Sequence, residues 1–225
     1  IYVEILDAEG GYFELSFGGR SVVCRESLSE LTTAVAMSRC DDKATTHRVL
    51  RQAGLRVPAQ VKVTGHEEAE AFLAEHGSVV VKPARGEQGA GISVDVRDEA
   101  SLRVAVDEAR NVCDTVILEE FVAGDDLRIV VIGTEVVAAA VRRPAEVIGN
   151  GRDTVRALID RQSRRRGAVT GGESRIPIDR ETERCIREAG YKFDSVLPEN
   201  ERLSVRKTAN LHTGGTIHDV TGRLH

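Results

Sequence analysis

Residues 1–25 alternate short apolar runs (Ile1, Val3, Ile5, then Phe13, Leu15, Phe17) with polar positions, around Gly10-Gly11 and Gly18-Gly19. A period of two broken by glycine pairs predicts two or three strands joined by tight turns. From Ser29 the pattern turns helical. A second helix is expected to start at Asp41 or Asp42, either a good N-cap, and to run through Lys43, Val49 and Leu50 to Gly54. A strand over 60–63 follows. Thr64 and Glu67 read as a capping box, with Ala69, Phe72 and Leu73 on one helical face before Gly77. Val79-Val80-Val81 is a short buried strand ending at Lys82-Pro83. A glycine-rich loop leads to a second strand through Ile92, Val94 and Val96. Asp98 caps a helix bearing Leu102, Ala105, Val106 and Ala109, and 116–118 is a strand. Residues 127–132 and 136–141 form a hairpin over Gly133-Thr134. Helices are expected from Asp153 to about Arg165 and over 181–189. Hairpins intrude on the strand–helix alternation, so the class is α+β and not a doubly wound parallel sheet.

The 225 residues allow one or two domains and a sizeable core without covalent staples. Aromatic residues make up 4% with no Trp, and the net charge is −5, so neither ring stacking on single strands nor a general basic surplus favours nucleic acid. Any anion must be held by a local constellation. The 31 basic residues include only five Lys (43, 62, 82, 192, 207), which singles out those beside a recognisable loop. Cys24, Cys40, Cys113 and Cys185 show no C-x-x-C spacing, which points to a reduced, cytoplasmic chain. No apolar run is long enough to span a membrane. The chain starts with Ile and ends on TGRLH, and both ends are expected to be cuts from something longer.

The segment VVVKPARGEQGAGISV, residues 79–94, is the most informative. Gly86, Gly89 and Gly91 lie in a loop between two strands, where backbone N–H groups can approach phosphate oxygens because no Cβ intrudes. It is neither a Walker A loop nor a dinucleotide fingerprint, since a strand follows it and no G-K-[ST] occurs. Lys43 lies on the helix before it, and Lys82 ends the strand that enters it. Together these supply positive charge and donors for a triphosphate. Downstream, ILEEFVAGDDLRIVVI offers the main chain of Glu120, Phe121 and Val122 to an adenine edge, and the Asp126 carboxylate to ribose hydroxyls.

The succession DKATTHRVLRQAGLRVP, VVVKPARGEQGAGISV, ILEEFVAGDDLRIVVI resembles the ATP-grasp superfamily of carboxylate–amine ligases. The later segments AAAVRRPAEVIGNGRDTVRALID, RRRG and TANLHTGGTIHDVT resemble the ligase domain of cyanophycin synthetases and, more closely, the N-acetylglutaminylglutamine synthetase branch. The resemblance covers about 38–225. It implies that Lys43 and Lys82 bind the phosphates and adenine side of ATP, with Gly86–Gly91 as a mobile flap. It places Glu119, Glu120 and Val122 at adenine and Asp126 at the ribose. It further implies that Arg128 and Arg142 or Arg143 face the γ-phosphate and an acyl-phosphate, with Asn210 at the substrate end. Guanidinium groups suit this chemistry because charge concentrates on the transferring phosphoryl group. The RQSRRRG cluster, 161–167, is placed by the same resemblance near an acidic substrate and not on nucleic acid.

The implied architecture is an ATP-grasp fold: N-terminal strands and a leading helix over 1–38, a smaller lobe over 39–118 and a larger lobe over 119–225, incomplete at its C-terminal end. The implied activity is ATP-dependent amide or peptide bond formation, N-acetylglutaminylglutamine synthetase-like, with amino acids or short peptides as substrates. The alternatives are a cyanophycin- or glutathione-synthetase-like ligase, or a non-catalytic nucleotide-binding module. The family's Mg²⁺ ligands, an acidic residue and a later Glu-x-Asn, are expected beyond residue 225, so no metal ligand is named here and this stretch alone is expected to be inactive. A homo-oligomer is compatible with the sequence; nucleic-acid and membrane partners are not expected.

Overall fold

A computed structural model describes residues 1–26, 28–87 and 89–224. The chain divides into two compact units, Ile1–Val57 and Pro58–His225. In the first, strands β1 (Tyr2–Asp7), β2 (Tyr12–Phe17), β3 (Arg20–Arg25) and β4 (Leu28–Ser29) form an antiparallel sheet in chain order. Glycines at positive φ (Gly11, Gly18, Gly19) make the turns that the sequence pattern predicts. Helix α1 (Ala34–Asp41) does not begin at Ser29, because Leu28 and Ser29 pair with Arg25 and Cys24. Its cap is Thr33, whose hydroxyl accepts from the Ala36 N–H. Helix α2 (Lys43–Gln52) is capped by Asp42 through the Thr45 N–H, one of the two caps expected.

In the second unit, β5 (Gln60–Lys62), β6 (Val79–Pro83), β7 (Ser93–Val96) and β8 (Val116–Glu120) build an antiparallel sheet of order β5-β8-β6-β7. Helices α3 (His66–His76) and α4 (Glu99–Arg110) contribute Ala69, Leu73, Leu102, Ala105, Val106 and Ala109 to one core with Val79, Val81, Val116 and Leu118. The capping box is displaced by one residue: Gly65 takes the cap position, and Thr64 pairs with Glu68 in place of Glu67. Beyond β8, the hairpin β9 (Asp126–Ile132) and β10 (Glu135–Arg143) turns at Gly133-Thr134 as expected. Two short strands, β11 (Glu146–Ile148) and β12 (Arg202–Ser204), pair with each other, and β13 (Thr216–Asp219) adds to the outer edge of β10.

Helices α5 (Val155–Val169) and α6 (Arg180–Glu188) complete a second core of Val147, Val155, Leu158, Ile159, Ile176, Ile186, Leu197, Leu203 and Val205. Thr154 and not Asp153 caps α5, since Asp153 Oδ2 is occupied by Asn150 and Arg161. Among the described residues no helix is long and apolar enough to cross a membrane.

The four cysteines are free thiols. Cys185 on α6 is buried; burial, reinforced by the nearby Glu181 carboxylate, pushes its thiol up to about 12. Since the thiolate is the reactive species, iodoacetamide at neutral pH is expected to leave Cys185 untouched in the folded chain while labelling exposed Cys40. Peptide mass spectrometry before and after denaturation checks this. Equal labelling rates at the two sites in native protein would contradict the packing of α6.

Candidate functional site

The alternation of β6 makes the site. Val79, Val81 and Pro83 are buried on one face, so Val80 and Lys82 face the other. On the antiparallel neighbour β8, Glu119 lies opposite Val80 and therefore shares the face of Lys82. The Lys82 ammonium and Glu119 carboxylate form an ion pair, and Gln60 Nε2 donates to Glu119 Oε1 at 2.8 Å. A cleft of about 550 Å³ opens over this face. Residues 120–126 bound one side, β10 adds Arg142 and Arg143, and Lys207, Thr208, Ala209 and Asn210 run along another.

The strand register brings two further predicted residues into contact. Arg142 sits opposite Asp126, so their side chains share a face and meet as a two-pronged ion pair, Nε to Oδ1 at 2.8 Å and Nη2 to Oδ2 at 3.0 Å. The carboxylate read as a ribose ligand and the guanidinium read as a phosphate ligand thus hold each other. Arg143 has no ion pair among the described residues and lines the same cleft. The lining carries Lys82, Arg142, Arg143 and Lys207 against Glu119, Glu120, Asp125 and Asp126, and two of these cations are pre-positioned by counter-ions of the same lining, Lys82 by Glu119 and Arg142 by Asp126.

Gly89 lines the cleft at φ +81°, and a Cβ there would stand 3.5 Å from Asn210 Nδ2, so the loop lies directly on the Asn210 segment. Gly91 does not line this cleft. At φ +65° its Cα faces Ala109 and Val112 at the end of α4, where a Cβ would come within 2.9 Å of Val112 Cγ2. Gly86 also lies beside Val112 and outside the lining. Gln88, within the predicted flap, is outside the described residues. Arg128 is exposed two residues along β9 from Asp126 and is not part of the cleft wall. Lys43 opens α2 in the first unit.

Asn210 is fixed by its own turn: its Oδ1 accepts from the His212 N–H at 2.8 Å, and its carbonyl accepts from the Gly215 N–H at 2.8 Å. A Cβ on Gly215 would come within 2.7 Å of that carbonyl and 2.8 Å of the Arg143 carbonyl, so the glycine permits the close approach of this turn to β10. The arginine run on α5 divides. Arg164 and Arg165 are exposed, whereas Arg166 turns inward, Nε donating to Ser174 Oγ at 2.9 Å and Nη2 to the Gly215 carbonyl at 2.5 Å. Arg166 therefore holds the turn that carries Asn210.

Two wall residues escaped the sequence reading. Lys207 Nζ reaches Asp95 Oδ2 at 2.9 Å and Glu188 Oε2 at 2.6 Å, tying β7 to α6 beside the cleft. Burial would lower its ammonium, but these two carboxylates raise it above the usual lysine range. Burial likewise works to raise the Asp95 carboxyl, and hydrogen bonds from Arg97, Ser78 and Lys207 override it and hold the group well below the carboxylate range. Thr208 Oγ1 is buried in the wall with no hydrogen-bond partner among the described residues. The scarcity of lysine was a signal for Lys207, and Thr208 opens the TANLHTGGTIHDVT segment, in which only Asn210 is given a role.

The donor set fits a nucleoside triphosphate: a lysine and two arginines, a glycine backbone at positive φ, an unsatisfied buried hydroxyl and, between β8 and β9, main chain at 121–125 that belongs to no strand. A divalent cation is not provided for in the same way. Among the described residues no group of three or more His, Cys, Asp or Glu side chains is arranged to hold one.

Residues 40–156 match the RimK-like ATP-grasp domain family. The chain is 33% identical over 217 residues to a cyanophycin synthetase of Nostoc sp., covering 94% of this chain and 24% of that protein. It is 31% identical over 234 residues to the glutathione biosynthesis bifunctional protein GshAB of Mannheimia succiniciproducens, covering 99% of this chain and 31% of that one. Among solved structures, a bifunctional glutathione synthetase from Pasteurella multocida superposes with a TM-score of 0.55 at 26% identity, over 100% of this chain and 31% of the other. The chain thus spans between about a quarter and a third of the length of these relatives.

Proposed function

The chain belongs to the RimK-like ATP-grasp family, and from that premise we propose that it carries the nucleotide-binding part of an ATP-dependent carboxylate–amine ligase. The observation that supports this is the shared cleft: Lys82, Gly89, Glu119, Glu120, Val122, Asp126, Arg142, Arg143 and Asn210 all line it, although they come from distant points of the sequence. In this reading the main chain at 120–122 takes the adenine edge and Lys82 a phosphate. Arg142 and Arg143 face the phosphoryl group that passes to a carboxylate. An amine then attacks the acyl-phosphate, its nitrogen forming the new C–N bond while inorganic phosphate leaves. Guanidinium groups are suited to that transfer because they neutralise charge on the equatorial oxygens. The division into a 39–118 lobe and a 119–225 lobe is part of the same proposal.

The relatives named for cyanophycin and glutathione synthesis support a ligase of amino acids or peptides. The form LHTGGTIHDVT at 211–221 supports the narrower N-acetylglutamine-type acceptor. Phosphate release from ATP, measured with the full-length protein that contains this chain across a panel of free amino acids, N-acetyl amino acids and dipeptides, tests both levels. Release that depends on both a carboxylate and an amine is the expected result. Tight ATP binding without release under any pairing would favour a non-catalytic nucleotide-binding module, and absence of ATP binding would remove the proposal altogether.

A further inference from the structure

Strand β7 carries a fault in its pairing that re-aims one side chain. Opposite β6, Val96 meets Val79 and Ser93 meets Val81, so Val94 and Asp95 together stand against Val80 alone. This is a β-bulge, and Asp95 is its left-handed member at φ +60°, a conformation that glycine adopts without steric cost. The bulge resets the alternation of the strand. Ile92 and Val94 line the nucleotide cleft, Ser93 and Val96 are buried, and Asp95 belongs to neither group.

The Asp95 carboxylate is occupied at both oxygens. Oδ1 accepts from Ser78 Oγ and Arg97 Nε, both at 2.7 Å, and Oδ2 accepts from Lys207 Nζ at 2.9 Å. Three donors on a side chain that is only 14% exposed hold it ionised and in one orientation. Backbone strain at a position that glycine would relieve points to a task for the side chain. Here that task is to hold Lys207, a cation of the cleft wall.

The contact crosses the proposed lobe division. β7 follows the glycine loop and belongs to the 39–118 lobe, whereas Lys207 and α6 belong to the 119–225 lobe. Two more ties run along the same seam. Arg184 Nη2 donates to the Val94 carbonyl at 2.6 Å, and Arg180 Nη1 stands 3.6 Å from Glu108 Oε1. In all three the cation is on the larger lobe and the acceptor on the smaller one. The chain itself passes between the lobes at the end of β8, on another side of the cleft. A hinge on one side and a fastening on another let a cleft close on its ligand and stay closed. Lys207 is also bound to Glu188 on its own lobe, so loss of Asp95 would free β7 without releasing Lys207 from α6.

We propose that Asp95 is a positioning residue for nucleotide retention: through Lys207 it fastens β7, and with it the glycine loop, to the larger lobe beside the cleft. The proposal rests on the nucleotide reading of that cleft. Asp95 itself touches no nucleotide, because it is not part of the cleft wall.

The test is the rate at which a fluorescent ATP analogue leaves the full-length protein that contains this chain when chased with excess ATP. Asp95→Asn removes the charge and keeps a side chain that tolerates positive φ. It is expected to speed release about threefold to tenfold, between the values for an exposed and a buried ion pair, with association unchanged or faster. Lys207→Met should speed release at least as much. The double variant should release no faster than Lys207→Met alone, since both changes act through one contact. Asp95→Gly relieves the positive φ, so it is expected to shed the analogue as Asp95→Asn does while its melting temperature stays within a few degrees. Unchanged release from Asp95→Asn would overturn the proposal even if Lys207→Met released faster, because Lys207 would then act by direct contact alone. Effects that multiply in the double variant, or fast release confined to variants whose melting temperature collapses, would overturn it equally. The two readings fail differently: an unaltered protein that does not bind the analogue removes the nucleotide reading and this role with it, whereas binding with equal release from Asp95→Asn removes this role alone.

Discussion

Replacing Lys82 by Ala is expected to weaken ATP binding by about tenfold to more than a hundredfold, the equivalent of roughly 1.5–3 kcal/mol for a lost charge-assisted contact. Two effects combine. The phosphate loses a donor, and Glu119, 14% exposed, loses its counter-ion and turns an uncompensated carboxylate toward the polyphosphate. The second effect makes a specific pattern expected. Lys82→Ala with Glu119→Gln should bind ATP better than Lys82→Ala alone, because the repulsive charge is gone while Gln60 still has an amide to pair with. Isothermal titration of the three proteins measures this directly. An unchanged dissociation constant for Lys82→Ala would mean that the nucleotide does not use this face of β6.

How much of this was legible beforehand depends on whether local or long-range forces set the feature. The hairpin over Gly133-Thr134 and the caps at Asp42 and Asp98 are local, and they stand where periodicity and turn chemistry put them. The displaced starts of α1 and α5 have causes outside each helix's own periodicity: Ser29 is held by a strand partner five residues back, and Asp153 is already occupied by Asn150 and Arg161. The short strands β11 and β12 and the edge strand β13 escaped because each is three or four residues long and is defined only by its distant partner. The candidate site shows the same division. Glycine spacing and scarce lysines pointed to Lys82 and Gly89, but the pairing of Arg142 with Asp126 depends on register across a hairpin. The inward turn of Arg166 depends on a carbonyl forty-nine positions away. A run of three arginines looks uniform in sequence; packing gives its members different tasks.

The second large effect expected concerns stability and is centred on Arg184. This side chain is 10% exposed and its partner Glu181 7%. The guanidinium makes a fork to Glu181, Nε to Oε2 at 2.8 Å and Nη2 to Oε1 at 2.7 Å. It also reaches Glu188 Oε1 at 2.5 Å and the Val94 carbonyl at 2.6 Å, so it ties α6 to β7 as well as to its own turn. Burial acts to lower the guanidinium, and the Glu181 and Glu188 carboxylates more than offset it, leaving the group raised and charged at every accessible pH. Arg184→Leu would leave Glu181 buried without a counter-ion and the Val94 carbonyl without this donor. Breaking a buried pair by removing one partner costs about 3–5 kcal/mol, which for a unit of this size corresponds to a fall in Tm on the order of 10 °C. The net worth of the pair is smaller than that, because both charges had to be desolvated to form it. Arg184→Leu combined with Glu181→Leu is therefore expected to recover most of the loss, and Arg184→Lys to fall between, since an ammonium cannot reproduce the fork. Thermal unfolding of the three variants separates the outcomes. A single Arg184→Leu change costing less than about 1 kcal/mol, the ordinary value of an exposed ion pair, would show that α6 is not anchored to β7 through this side chain.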